Sequence, residues 1–302
     1  MARRFRVYGK EIRVSGRLLR IGQLEGDKYE FLDSPEAMID ALRKSEHRID
    51  LFTFLQRLPD TSPKYSYPMI WDNLAVITVS TFDEWWTRQI RPEARNRARQ
   101  AEKKGVVIRE VAFDEALVKG IWAIYNETPI RQGRPFPHYG KDFDTVYREE
   151  ATFLDSSFFI GAYVGEELIG FVKLTADETR TQANLMNILS MIKHRDKAPT
   201  NALIAHAVRA CEKRKIVYLV YQGFAYGSKQ QDGIMKFKQV NGFQRVNLPR
   251  YYVPLTIMGH AAFRLGLHRR LVDHLPESIV GRARQVRDAW YSRKFQPAKE
   301  SV

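Results

Sequence analysis

A chain of 302 residues, 44% of them hydrophobic and 28% charged, has the composition of a globular protein and is long enough to bury a sizeable core. The net charge of +14 points to anionic partners such as RNA, a phosphate-rich small molecule or a membrane surface. No apolar run approaches the roughly 20 residues of a membrane span, MARRFRVYGK lacks the apolar region of a secretory signal, and the single Cys211 excludes an internal disulfide framework, so the expectation is a cytoplasmic protein, membrane-peripheral at most.

The first 85 residues read as a small α/β unit. RFRVYGKEIRV and GRLLRIGQL predict strands, and Ser34-Pro35-Glu36 predicts a helix start with proline at the first helical position. RIDLFTFLQRL and NLAVITVSTF predict buried strands, separated by the turn-rich PDTSPKYSYP. Thr81-x-x-Glu84 resembles a capping box opening a helix through the following basic segment, with a break at Pro92 and an end at Gly105. Between Arg88 and Lys104 there are seven Lys/Arg against two Glu; from Arg264 to Lys294 there are eight against three acidic residues. Two segments therefore hold most of the excess charge, either as solvated helix faces or as built basic surfaces.

VVIREV predicts a short strand and DEALVKGIWAIYNET a helix with Leu117, Ile121, Ile124 and Tyr125 near one face. The loop TPIRQGRPFPHYGKDF is rich in hydrogen-bonding side chains. SSFFIGAYVGEELIGFVKLTA predicts a hairpin about Gly165-Glu166-Glu167, and ANLMNILSMI a further strand. After a charged junction comes the helix ALIAHAVRACEKRK, with Cys211 at an apolar-facing spacing. Then follow the strand VYLVYQGF, a short helix from Asp232 to Val240 stopped by Asn241-Gly242, and a closing strand FQRVNLPRYYVPLTIM. Residues 263–302 predict a basic amphipathic helical tail.

The junction KHRDKAPTNALIAHAV fits the kinase pattern H-R-D-x-x-x-x-N through His194, Arg195, Asp196 and Asn201. The glycine-rich loop, strand lysine and D-F-G segment of a kinase are all missing, so that reading fails. Strand, strand, turn, strand, charged loop, helix, strand, short helix, GF and strand is instead an order that resembles the acyl-CoA N-acyltransferase (GNAT) fold. The likeness covers roughly residues 86–262. Arg195-Asp-Lys-Ala198-Pro-Thr200-Asn lies over the family's R/Q-x-x-G-x-G/A loop, and FKQVNGFQRV resembles its short-helix-then-GF signature.

The resemblance implies an α/β protein with a mixed, mainly antiparallel sheet flanked by helices. Residues 1–85 would be a small N-terminal unit, or a truncated GNAT-like half; residues 86–262 the acyltransferase domain; and 263–302 the tail. It implies transfer of an acyl group from a coenzyme A thioester to an amine. Ala198 and Thr200 replace the glycines that let backbone N–H groups approach the pyrophosphate, and Pro199 removes one donor. That departure is similar to the Fem-type aminoacyltransferases of the same superfamily, which use aminoacyl-tRNA. The basic helix RNRARQAEKKGV, the YNETPIRQGR segment and the pair Phe237-Lys238 resemble that subgroup.

Site residues follow by the same implication. Lys238 is either the oxyanion donor, near the exposed edge where two central strands part, or a solvated lysine; Phe237 is expected to wall the pocket or core. Glu127 is either a general base or a helix-end carboxylate. His194, Arg195, Lys197, Thr200, Asn201 and Phe237 are the candidate donor-binding residues. Asn126, Arg131, Arg134, His138 and Tyr139 are the candidate acceptor-binding residues. His194 and His206 lack metal-ligand spacing, so no metal is expected. The non-enzyme alternative is a GNAT-derived module binding RNA or an anionic membrane.

Overall fold

A computed structural model describes residues 3–225 and 233–268. Strands β1 (Arg3–Val7), β2 (Lys10–Ser15) and β3 (Ile21–Leu24) form an antiparallel meander. Helix α1 (Pro35–Lys44) crosses to β4 (Leu51–Leu55), and β5 (Met69–Thr78) follows. The basic segment is not one helix. It divides into α2 (Phe82–Glu84), a π-helical turn over Trp85–Gln89 and α3 (Pro92–Lys103). Thr81 caps the first piece by accepting from Glu84 N, and Pro92 sits at the start of the last.

Next come β6 (Val107–Val111), α4 (Glu115–Tyr125), a small hairpin of β7 (Ile130–Arg131) and β8 (Arg134–Pro135), and α5 (Phe143–Glu150). The long hairpin β9 (Ser157–Val164) and β10 (Glu167–Ala176) leads to β11 (Gln182–Ser190), a 3-10 turn over Ile192–Lys197 and α6 (Pro199–Lys213). The described chain closes with β12 (Tyr218–Tyr221), α7 (Gly233–Val240), β13 (Gln244–Pro254) and α8 (Ile257–Arg264). Tyr226 and most of the tail, from residue 269, lie outside the described residues.

Eleven strands form one sheet in the order β1-β2-β3-β4-β13-β5-β12-β11-β10-β9-β6. Two of its pairings, β3 with β4 and β11 with β12, are parallel and the rest antiparallel. This is the expected mixed, mainly antiparallel α/β architecture. Strand β5, drawn from the first 85 residues, is inserted between β12 and β13, so both segments share the sheet.

Strand alternation sends successive side chains to opposite faces. Val172 and Leu174 of β10 join a core under α3 and α6, whereas Phe171 joins a second core under α4. Ala94, Ala98 and Ala101 on α3 are buried, and small side chains there let α3 lie close against α6. A third core, from Ile12 to Tyr251, holds the N-terminal strands and α1 together.

Candidate functional site

The sheet opens between β11 and β12. They pair only from Gln182–Asn184 against Tyr218–Val220. Beyond that point β11 runs on to Ser190 along β10, while Tyr221 pairs with Ala75 of β5. The stretch of β11 after Asn184 therefore has no ladder partner on that side, and its backbone groups face a gap. Ile188 packs toward α6 and Leu189 toward α4, so β11 presents different side chains to the two faces of the gap.

On the α6 side the candidate donor turn follows directly. Ala198 adopts φ +53° and ψ 42° at the helix N-cap, the left-handed conformation a glycine takes without strain. Thr200 Oγ1 lies 2.9 Å from Ser190 Oγ, tying the helix start to the strand end. His194 Nε2 meets Glu167 at 3.0 Å, and Lys193 and His194 together hold the Glu167 carboxyl below its ordinary range. Arg195 is exposed, and Lys197 is half-buried with its ammonium 3.8 Å from Asp196. Asn201 turns away from the surface: it is 5% exposed and donates to Asn241 Oδ1 at 3.1 Å. Helix α3 is docked to the same turn, because Gln100 and Lys104 donate to Asp196 O at 2.8 and 3.0 Å.

Phe237 packs against the core as expected, but Lys238 is the more deeply buried of the pair. Phe237 is half-buried against the α6-side core, whereas Lys238 is 0% exposed. The Lys238 ammonium donates to Gln222 O at 2.9 Å and Gly223 O at 2.5 Å and lies 4.3 Å from the centre of the Tyr221 ring. The expectation of a partly exposed lysine is thus corrected. Its stem fills space beside the end of β12, and its charge is balanced by backbone carbonyls and a ring face.

The acceptor candidates divide by role. Asn126 donates to Trp122 O and Lys141 O and accepts from Gly140 N, so it ties the 129–141 loop to α4. Both Glu127 oxygens are engaged, accepting from Ile192 N at 2.7 Å, Lys193 N at 2.9 Å and Arg131 at 3.0 Å. Arg131 also donates to Ser190 O at 2.8 Å and Ile124 O at 3.0 Å and covers the Phe136 ring; burial lowers its pKa. Glu127 and Arg131 thus bind the loop to the end of β11. Arg134 and Tyr139 are exposed. His138 is half-buried, 4.3 Å ring to ring from Tyr125, and burial followed by the Lys141 charge lowers its pKa.

A buried polar cluster on the α4 side escaped the sequence reading. Glu150, at the end of α5, accepts from Tyr125 OH at 2.6 Å and Asn187 Nδ2 at 2.8 Å. Lys173, fully buried, donates to Glu150 O and Thr152 O, both at 2.7 Å, and so caps the C-terminus of α5. Burial raises the Glu150 and Tyr125 pKa values and lowers that of Lys173 to about 8. Two signals were present. Asp142 heads an apolar Phe143-x-x-Val146 pattern and caps α5 through Thr145 N, which puts Glu150 four residues past Val146 on the buried face. Lys173 interrupts the apolar run LIGFVKLTA.

The N-terminal segment also reaches the gap. Asn184 donates to Lys28 O at 2.7 Å, and Lys28 Nζ bonds the Gln222 side chain. Arg250, paired bidentately with Asp27 and singly with Asp72, anchors that loop from β13.

The sequence matches no protein-family model and no curated protein. Solved structures do resemble the fold. FemX is similar at TM-score 0.55 and 11% identity over 88% of this chain and 90% of that one. L-PGS from Bacillus licheniformis is similar at 0.56 and 15% over 89% and 90%. The C-terminal domain of a protein described as a lysylphosphatidylglycerol synthetase from Agrobacterium fabrum is similar at 0.56 and 12% over 87% of each chain. The chain therefore has the GNAT-type fold that FemX shares, as its motif order implied.

Proposed function

We propose that the protein is a Fem-like N-acyltransferase that moves an aminoacyl or acyl group from a donor to an amine. The observation that carries this reading is the gap after Asn184 and Val220, with the start of α6 at one end of it and a buried ammonium at the other. An acyl carbonyl entering the gap would meet strand N–H groups left without partners, the requirement for holding a tetrahedral oxyanion. Lys238 would add its charge from the end of β12. Arg195, Lys197 and Thr200 remain the proposed donor contacts, whereas Glu127, Arg131 and Asn126 would shape the acceptor loop rather than exchange protons.

Aminoacyl-tRNA is favoured as donor over a coenzyme A thioester. The strained Ala198 and the N–H-free Pro199 make a poor pyrophosphate cradle, while the docking of α3 onto the 192–197 turn extends the site into a long basic surface. Arg97, Arg99 and Lys103 stand exposed on α3, a charge density suited to a polyanion larger than coenzyme A. The division into units 1–85, 86–262 and 263–302 is proposed on the same footing, supported by the separate cores around Ile12 and around Val172. The test is a donor screen with the full chain, comparing coenzyme A thioesters with charged tRNA under a panel of amines. Turnover with charged tRNA is expected; turnover with neither donor class would reject the reading.

A further inference from the structure

Glu150 is 1% exposed, yet only one of its carboxylate oxygens is satisfied. Oε1 takes both the Tyr125 hydroxyl and the Asn187 amide, whereas Oε2 is buried with no hydrogen-bond partner. An orphaned carboxylate oxygen in the interior is costly, and a hydrogen-bond donor brought to it would relieve that cost. Lys173 does not supply it, because its ammonium is spent on Glu150 O, Thr152 O and Thr152 Oγ1.

Asn187 places this oxygen beside the gap. It lies three residues beyond Asn184, the last position of β11 paired with β12, and is only half-buried. It is the β10-register partner of Lys173, opposite the α6-facing Ser190 and Ile188. With Nδ2 donated to Glu150, the remaining atom of the Asn187 amide is an acceptor. An anionic ligand would be repelled here, because Glu150 Oε2 and Asn187 Oδ1 are both acceptors. A cationic donor group fits both the charge and the hydrogen-bonding inventory.

The geometry points to an ammonium-binding subsite at Glu150 and Asn187, opening on the α4 side of the gap across from the donor turn. It deepens the acyltransferase reading and rests on it for the identity of the ligand: the ammonium of the acceptor amine, or the α-ammonium of an aminoacyl donor.

Equilibrium titration of the full chain tests this without turnover. The probes are n-butylamine against n-butanol, and alanine methyl ester against N-acetylalanine methyl ester. The ammonium member of each pair is expected to bind at least about tenfold more tightly, the factor for a charged hydrogen bond. Glu150→Gln and Asn187→Ala should each abolish that preference and leave the binding of uncharged tRNA unchanged. Tighter binding of the aminoacyl ester than of butylamine assigns the subsite to the donor, and the reverse to the acceptor. Asn187 is half-buried, so its variant keeps the test open should Glu150→Gln unfold. No ammonium preference in the parent protein, or a preference that persists in a folded variant, overturns the subsite. Absence of turnover in the donor screen rejects the acyltransferase reading but leaves this result standing.

Discussion

The Lys238 ammonium is bound to the carbonyl oxygen of Gln222 at 2.9 Å, fastening α7 to the chain that leaves β12. A lysine fixed in this way is part of the packing as well as of the site. Lys238→Ala should cost about 2–4 kcal/mol, because it opens space in the interior and strands two partly buried carbonyls. Lys238→Met keeps the volume and loses only the N–H groups. Chemical denaturation should rank Ala below Met below the parent chain. If the charge also steadies the oxyanion, folded Lys238→Met should turn over about 100- to 1,000-fold more slowly. Equal denaturation midpoints for all three proteins would contradict the buried placement.

Glu127 holds the N–H groups of Ile192 and Lys193, so its effect should appear in the donor turn. Glu127→Ala is expected to speed amide hydrogen exchange at residues 192 and 193 and to weaken donor binding about tenfold, the usual scale of charged hydrogen bonds. Unchanged donor affinity with a collapse of turnover would return the residue to general-base duty.

How much of this was legible in the sequence follows the nature of each signal. The hairpin about Gly165, the helix start at Thr81 and the GF entry to β13 are local patterns, and each formed. The fate of Lys238 was not local. Its spacing on α7 resembles that of a surface lysine, and its burial comes from contacts distant in sequence, among them the Tyr221 ring and the carbonyls of Gln222 and Gly223 just past β12. Helix α5 was passed over because a proline-rich loop precedes it, although Asp142 caps it. The break of the basic helix near Ile90 was visible only as Pro92; the π turn before it depends on Trp85 sinking fully into the core and donating to Asn241 O.

Ala198 marks where the sequence departs from a glycine cradle. A left-handed alanine costs about 1–2 kcal/mol, and glycine returns about 0.5–1 of that in chain entropy. Ala198→Gly should therefore leave stability equal or slightly improved. By freeing the turn it should also tighten coenzyme A, which the parent chain is expected to bind only weakly. Calorimetry decides the matter: a sub-micromolar dissociation constant for acetyl-CoA in the parent protein would restore the thioester as donor.

Lys173 gives the fold a signature in alkali. Its pKa is lowered to about 8, chiefly by burial, whereas the unfolded chain titrates near the ordinary value of about 10.4. Between those values the unfolded state holds a proton that the folded state has lost, so this group's contribution to stability rises with pH. Below about pH 8 both states are charged and the burial penalty is complete; above about 10.4 it is gone. The stability of the parent chain relative to Lys173→Met should climb across that window by up to about 1.4 kcal/mol per pH unit. A difference that stays flat there would mean that Lys173 keeps its proton in the fold.

The basic surface makes the last prediction. Reversal of Arg95 would be a poor probe, because its guanidinium donates to Thr87 O at 3.1 Å and Ile90 O at 3.3 Å and so holds the turn before α3. Arg97, Arg99 and Lys103 are exposed on the same helix. If they meet phosphates, tRNA binding should fall steeply with salt, each contact adding about −0.7 to −0.9 to the log–log slope. Changing these three residues to Glu should flatten the slope by about 2 and leave the denaturation midpoint where it was. The chemistry at the gap should survive with a short aminoacyl ester as donor, because no part of that ester reaches α3. A salt slope unaltered by the triple change would assign these charges to solubility, and preferential binding to anionic vesicles over tRNA would transfer them to a membrane role.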